Sequence, residues 1–186
     1  MNNSFYNTDE LKDLGFKSIG DNVLISRNAS FYGAENMSIG HNVRIDDFCI
    51  LSGRIEIGSY VHISAYCVLY GSRGIDIGNY SGLSARCTIF SAVDDFSGDY
   101  LINPMISEEY TNVSGGKVII GDYVQLGAST MVMPNLQIAD GVVSGAFVFI
   151  NKSLEEWNMY IGIPAVLLKK RTKNLLEYVK KIELNF

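Results

Sequence analysis

Few side chains in this 186-residue sequence could move a proton. There are two histidines, His41 and His62. An imidazole has an ordinary pKa of about 6.5, so it can take a proton from a hydroxyl at neutral pH, which is worth roughly 10²–10⁴-fold in rate. His62 lies in Val61-His62-Ile63-Ser64, just before an expected corner of the chain, and should point outward. His41 follows Ile39-Gly40, where polar surface residues are routine. Asp94 and Asp95 open the most irregular stretch of the sequence. An unperturbed aspartate, at about 3.9, is a poor base for a hydroxyl. Desolvation would have to raise its pKa, or the carboxylate would instead orient His62 or hold an acceptor. A turn at the start of a loop is the plainer role for either. Tyr100 and Asn103, farther along the same stretch, are candidates for contacts to an acceptor.

These residues need a frame, and the frame is written as a repeat. Ile-Gly opens segments at Ile19-Gly20, Ile39-Gly40, Ile57-Gly58, Ile77-Gly78 and Ile120-Gly121, and Ile138-Ala139 follows in the same role. The spacings are 20, 18, 20, 43 and 18. Within each segment a six-residue unit recurs, as in Ile57-Gly58-Ser59-Tyr60-Val61-His62 and Ile63-Ser64-Ala65-Tyr66-Cys67-Val68. Three hexads make one coil of three short strands and three corners. Stacked coils bring equivalent positions into columns about 4.8 Å apart. Two inward columns are predicted: Ile19, Ile39, Ile57, Ile77, Ile120, Ile138, and Ile25, Ile45, Ile63, Leu83, Leu126, Ser144. Helical periodicity does not fit, and hairpins would not hold three units per 18 residues. Cys49, Cys67 and Cys87 share one hexad position and should form a third internal column of small apolar fillers.

Outside the coils, residues 8–16 carry helix signals, with Thr8 as N-cap, Leu11 and Leu14 on one face and Gly15 as the stop. Such a helix would cover the open first coil. Leu175, Leu176, Val179 and Ile182 predict a terminal amphipathic helix within 172–184. The 43-residue interval holds an inserted loop at about 94–116, and a long loop on a rigid scaffold is a place for function. The expected organisation is a cap over 1–18, the coils over 19–168 and a basic segment with a helix over 169–186.

Composition bounds the partners. The net charge is −5 and 47% of residues are hydrophobic. That supplies a real core and argues against nucleic acid or an anionic membrane as the main partner. No 18-residue apolar run occurs, the N-terminus has no basic and apolar signal pattern, and the cysteine count is odd. A reducing, cytoplasmic setting is therefore expected.

The six in-register repeats resemble the hexapeptide-repeat acyltransferase family over residues 19 to about 168. The resemblance implies an all-β fold, a left-handed parallel β-helix of about six triangular coils, assembled as a homotrimer. It implies an acetyltransferase that uses acetyl-CoA and no metal. In the maltose and galactoside O-acetyltransferase branch a catalytic histidine stands at the loop, where this sequence has Asp94. His62 then becomes the candidate base, with Asp94 or Asp95 from the next subunit as its partner. The family's CoA runs along the last coils between subunits. The matching positions here are Gly127, Ala128 and Ser129, then Gly145 and Ala146. The closing motif Gly162-Ile163-Pro164-Ala165, followed by Lys169 and Arg171, would place Pro164 beside the adenine and the two cations on phosphates. Trp157 and Tyr160 read as packing residues.

The main expectation is acetyl transfer to a hydroxyl of a sugar or polysaccharide precursor, as in lipopolysaccharide or exopolysaccharide building. The alternative is N-acetylation of an amino sugar, often nucleotide-linked, where the nucleophile is already an amine and the missing loop histidine matters less. A non-catalytic scaffold is a third reading. A metal hydratase of the γ-carbonic anhydrase type needs three histidines. The two present are third and sixth in their hexads, out of column register.

Overall fold

The computed structural model describes residues 4–184. The first three residues of the expected cap and the last two of the C-terminal segment lie outside the described residues. The chain is a left-handed parallel β-helix with three faces. The first predicted column is present as a parallel ladder, with Ile19 opposite Ile39, Ile39 opposite Ile57, Ile57 opposite Ile77, Ile77 opposite Ile120 and Ile120 opposite Ile138. The second runs Ile25, Ile45, Ile63, Leu83 and Leu126, all fully buried or nearly so. Ser144 takes the last place in it, buried because its hydroxyl accepts from the Gly127 N–H at 3.0 Å. A third ladder, Phe31, Leu51, Leu69, Ile89, Val132 and Ile150, completes the core. Six full coils stack. The strand Asn158–Ile161 begins a seventh, and Val166–Lys170 folds back on it antiparallel, across the expected boundary at 168/169.

Two local features let coils stack this closely. A Cβ on Gly20 would lie 2.6 Å from Gly40, and one on Gly78 would lie 2.6 Å from Gly121, so the glycine of Ile-Gly is a requirement of the coil-to-coil approach. Farther round the same corner the chain turns through positive φ at Tyr60, Tyr80, Tyr123 and Trp157. Left-handed backbone costs about 1–2 kcal/mol at a non-glycine residue. Stacking offsets it, because the rings form a column with centroids 4.6, 5.6 and 5.9 Å apart. The three cysteines are buried and free, their thiols directed at the Ser64, Ser84 and Gly127 carbonyls at 3.1–3.2 Å.

The N-terminal helix is Thr8–Asp13, and its cap is Asn7 rather than Thr8. The Asn7 side chain accepts from the Asp9 and Glu10 N–H groups, and Glu10 accepts from the Asn7 N–H, a reciprocal capping box. Leu11 is buried against the first coil and Leu14 is packed beside it. The C-terminal helix is Leu175–Glu183, with Val179 buried.

The repeat is broken in three places. A 3-10 turn, Ala34–Asn36, lengthens the first coil. The corner of the third coil is longer than that of the second: one residue, Arg54, separates Gly53 from Ile55, whereas Ser72-Arg73-Gly74 separate the matching Gly71 and Ile75. After the strand Thr88–Phe90 the chain leaves the stack altogether. It goes out along Ala92–Asp94, returns along Val113–Gly115 as the antiparallel partner, and rejoins at Val118.

Candidate active site

Side chains alternate along the third face, so inward Leu69 and Ile89 leave Tyr70 and Phe90 facing out. Their rings stack at 5.4 Å. The inserted hairpin overhangs them and encloses a cleft of about 750 Å³. Its walls are Tyr70, Ser72 and Phe90 from the coils, and Asp94, Asn103, Pro104, Ile106, Glu108 and Thr111 from the insertion. Two carboxylates, Asp94 and Glu108, line it, and no lysine, arginine or histidine does. Such a cleft favours a cationic group on its ligand. The Asp94 carboxylate is half-buried and engages no other side chain among the described residues, so it is free to accept a hydrogen bond or a proton from a ligand.

The two neighbouring aspartates have separate jobs. Asp95 is outside the cleft wall, where its carboxylate accepts from the Ser97 N–H at 2.7 Å and from Asn112 Nδ2 at 2.8 Å. These bonds, that to Ser97 first, hold its pKa below the usual carboxylate value and pin the base of the loop. Asn103 does line the cleft, its side chain also accepting from the Met105 N–H. Tyr100 does not; it is exposed on the outside of the insertion.

His62 points outward as expected, but from the second face. Its Nε2 is 2.8 Å from the Asp46 carboxylate, which also takes Arg44 Nε at 2.7 Å. Within one chain the structure does not bring His62 to Asp94 or Asp95. His41 is a surface residue whose Nδ1 accepts from the Asp21 N–H at 3.0 Å.

The turns Gly127-Ala128-Ser129 and Gly145-Ala146 are stacked at the corner between second and third faces. A Cβ on Gly127 would lie 2.3 Å from the Gly145 carbonyl oxygen, so that glycine serves the stack itself. Ser129 borders an apolar groove of about 250 Å³ with Met131, Phe147, Val148, Phe149 and Ile163. The Gly162–Ala165 turn thus forms one wall of this groove through Ile163, next to Pro164. Lys169 is exposed on the final strand, opposite Met159. Arg171 is spent inside the chain. Its Nη1 donates to the Tyr123 and Gly141 carbonyls at 2.6 and 3.0 Å, and its guanidinium lies over the Trp157 ring. Burial lowers its pKa. Among the described residues no group of three His, Cys, Asp or Glu side chains could hold a metal ion. Likewise no described helix is long and apolar enough to cross a membrane.

The sequence did not single out Glu108, Tyr70 or Phe90. The signal for the aromatics was present as bulky residues at outward hexad positions one coil apart. Glu108 carried none, because only the fold of the insertion brings it to the cleft wall.

The family model described as "Bacterial transferase hexapeptide (six repeats)" matches residues 36–71. The dTDP-4-amino-4,6-dideoxy-D-glucose acyltransferase of Escherichia coli is 43% identical over 90% of this chain and 89% of its own. The S84C variant of AntD, an N-acyltransferase from Bacillus cereus, was solved with dTDP-4-amino-4,6-dideoxyglucose and coenzyme A. It superposes with a TM-score of 0.97 at 44% identity, covering 100% of both chains. Its structures include one with dTDP and 3-hydroxybutyryl-CoA, and variants of a serine and an aspartate, S84C and D94A. This chain carries Ser84 and Asp94 at the same numbers. A putative lipopolysaccharide O-acetyltransferase, WbbJ of Escherichia coli, is 27% identical over 78% of this chain and 74% of its own.

Proposed function

The chain belongs to the hexapeptide-repeat acyltransferases, and from that premise we propose that it moves an acyl group from acyl-CoA to the amine of a nucleotide-linked 4-amino-4,6-dideoxy sugar. The observation that carries this reading is the cleft with Asp94 and Glu108 in its wall and no basic side chain. A sugar hydroxyl needs a base poised near neutrality. An amine arrives as a cation, which two carboxylates attract, and is nucleophilic once a proton leaves. N-acylation is therefore favoured over the O-acetylation expected first from the sequence, and the nucleotide-sugar relatives point the same way.

In the proposed step the amine nitrogen attacks the thioester carbonyl carbon. The C–N bond forms, the C–S bond breaks, and CoA leaves as its thiol. The ammonium first gives one proton to Asp94, which releases it to solvent before attack. After the C–N bond forms Asp94 takes the second proton from nitrogen, and that proton balances the departing thiolate. The groove bordered by Ser129, Phe147 and Ile163 suits an acyl-pantetheine arm, and Lys169 remains a candidate for CoA phosphate. Arg171 supports the end of the stack. The acyl group need not be acetyl, since AntD was solved with 3-hydroxybutyryl-CoA. A homotrimer, a cytoplasmic setting and a place in building surface polysaccharide belong to the same proposal.

The test offers acyl-CoA with dTDP-4-amino-4,6-dideoxyglucose or with the sugar bearing a hydroxyl at that carbon, and follows thiol release and product mass. The amide alone should form, and Asp94→Asn should lower kcat by roughly 10²–10⁴-fold at an unchanged melting temperature. Equal turnover of the hydroxyl sugar, or a wild-type rate in Asp94→Asn, would refute the reading.

A further inference from the structure

Six arginines occur in the sequence. Four are engaged within the chain: Arg27 with Glu10, Arg44 with Asp46, Arg86 over the Tyr66 ring, and Arg171 on the Tyr123 and Gly141 carbonyls. Among the described residues Arg54 and Arg73 form no ion pair and no side-chain hydrogen bond, and both are exposed. They stand one coil apart at the same corner. This is the corner where the third coil is two residues longer than the second, through Ser72-Arg73-Gly74. Ser72 lines the cleft, so Arg73 lies at its rim. A Cβ on Gly71 would lie 2.7 Å from the Arg54 carbonyl oxygen, which sets the two arginine-bearing turns in direct contact. The third cation at this corner, Lys117, packs its stem on Gly74 but is paired with Asp76.

The longer turn is held rigidly. Buried Ser91 accepts from the Arg73 N–H and donates to the Tyr70 carbonyl, both at 2.8 Å. One hydroxyl thereby fixes both ends of the segment that carries a cleft aromatic, the cleft hydroxyl of Ser72 and the rim cation. The charge pattern is two carboxylates in the cleft wall and, at the corner next to Ser72, two exposed arginines without an ion pair among the described residues. That pattern complements a ligand with a cationic end and an anionic end.

We infer that Arg54 and Arg73 bind the diphosphate of the acceptor, and so make the enzyme specific for a nucleoside-diphosphate-linked amino sugar over the free one. This rests on the amine-acceptor reading above. Guanidinium forks match phosphate oxygens bidentately, and charge-assisted hydrogen bonds of this kind are stronger than neutral ones.

The experiment is a calorimetric titration of dTDP into the intact wild-type protein, Arg73→Ala, Arg73→Lys and the Arg54→Ala/Arg73→Ala double variant, at two salt concentrations. Acylation kinetics with the dTDP-linked amino sugar and with the methyl glycoside of the same amino sugar accompany it. The double variant should bind dTDP at least about tenfold more weakly. It should show the loss in KM with kcat within about twofold, and should turn over the methyl glycoside as wild type does. Arg73→Lys should recover part of the affinity, and salt should weaken wild type more than the double variant. Wild-type dTDP affinity in the double variant, with acylation of the amino sugar intact, overturns this inference alone. A wild-type protein that binds no dTDP and acylates no amino sugar overturns the inference together with the amine-acceptor reading.

Discussion

The coil stack and the inserted segment obey different rules. Within the stack an inward position is answered by its neighbours one coil above and one below, so Leu51, Leu69 and Ile89 are fully buried by repetition, whereas Ile19 and Phe31 in the first coil are only partly buried. The insertion has no such neighbours. It is a two-stranded excursion held by Ala92–Asp94 against Val113–Gly115 and by the bonds to Asp95, with Phe96 and Met105 left exposed. The regular part supplies rigidity and the irregular part supplies charge in a chosen place. The cleft needs both, because Tyr70 and Phe90 are its floor and Asp94 and Glu108 its overhang.

The comparison can be broken most sharply by asking whether one chain holds a whole site. Ser84 lies on the stack at the corner between second and third faces, where its hydroxyl accepts from Gln125 Nε2 at 3.0 Å, while Asp94 lies on the insertion beyond the third face. If a site joins Ser84 of one copy to Asp94 of the next, Ser84→Ala and Asp94→Asn proteins should each be slow alone. After mixing and subunit exchange they should recover about a quarter of the wild-type rate in a closed ring. Turnover that stays at the level of the single variants places the whole site in one chain.

A smaller effect separates the two regions by stability. Leu69→Ala, in the fully buried ladder, should lower unfolding free energy by about 2–5 kcal/mol. Phe96→Ala, 76% exposed on the insertion, should stay within about 0.5 kcal/mol. Urea unfolding of both variants decides this, and a large loss in Phe96→Ala would mean the insertion is part of the cooperative unit.

The smallest expected effect concerns charge on the stack surface. Partial burial raises the Asp46 pKa, but hydrogen bonds from Arg44 and His62 outweigh it and leave the carboxyl below its ordinary value. A carboxyl depressed in the folded state stabilises it above the unfolded pKa, and that stability is lost as pH falls through the folded value. Asp46→Asn should therefore be less stable than wild type by about 1 kcal/mol or less at pH 6, and the gap should close toward pH 3. A gap that widens on acidification would reverse the assignment.

Much of the stack was legible because its period leaves little freedom. Given Ile-Gly at spacings of 18 and 20, the inward columns follow by counting. The cap was misjudged by one residue, although Asn7 with Glu10 three places later spells the capping box. The cleft was less legible. Asp94 and Asp95 are adjacent in sequence and of one type, and only the local turn assigns one to the cleft and the other to Ser97 and Asn112. His62 carries the chemistry expected of a base but is engaged with Asp46 on another face. The basic triplet at 169–171 looked like one phosphate site, yet Arg171 is bonded to carbonyls that lie 48 and 30 residues before it. Such apposition across coils has no signature in a linear pattern.

The corner column Tyr60–Tyr80–Tyr123–Trp157 has an optical consequence. The chain has a single tryptophan, and it stands at the C-terminal end of that row. Ultraviolet light absorbed by any of the three tyrosines can pass along rings about 5 Å apart to the indole, which emits at lower energy. In a stacked-repeat protein each coil contacts only its neighbours, so an end coil has one interface to lose where an inner coil has two. Peeling of the last coil would part Trp157 from Tyr123 first, so tyrosine-sensitised indole emission would fade while the other coils stayed folded. The molecule thus carries its own fluorescent gauge of fraying at one end.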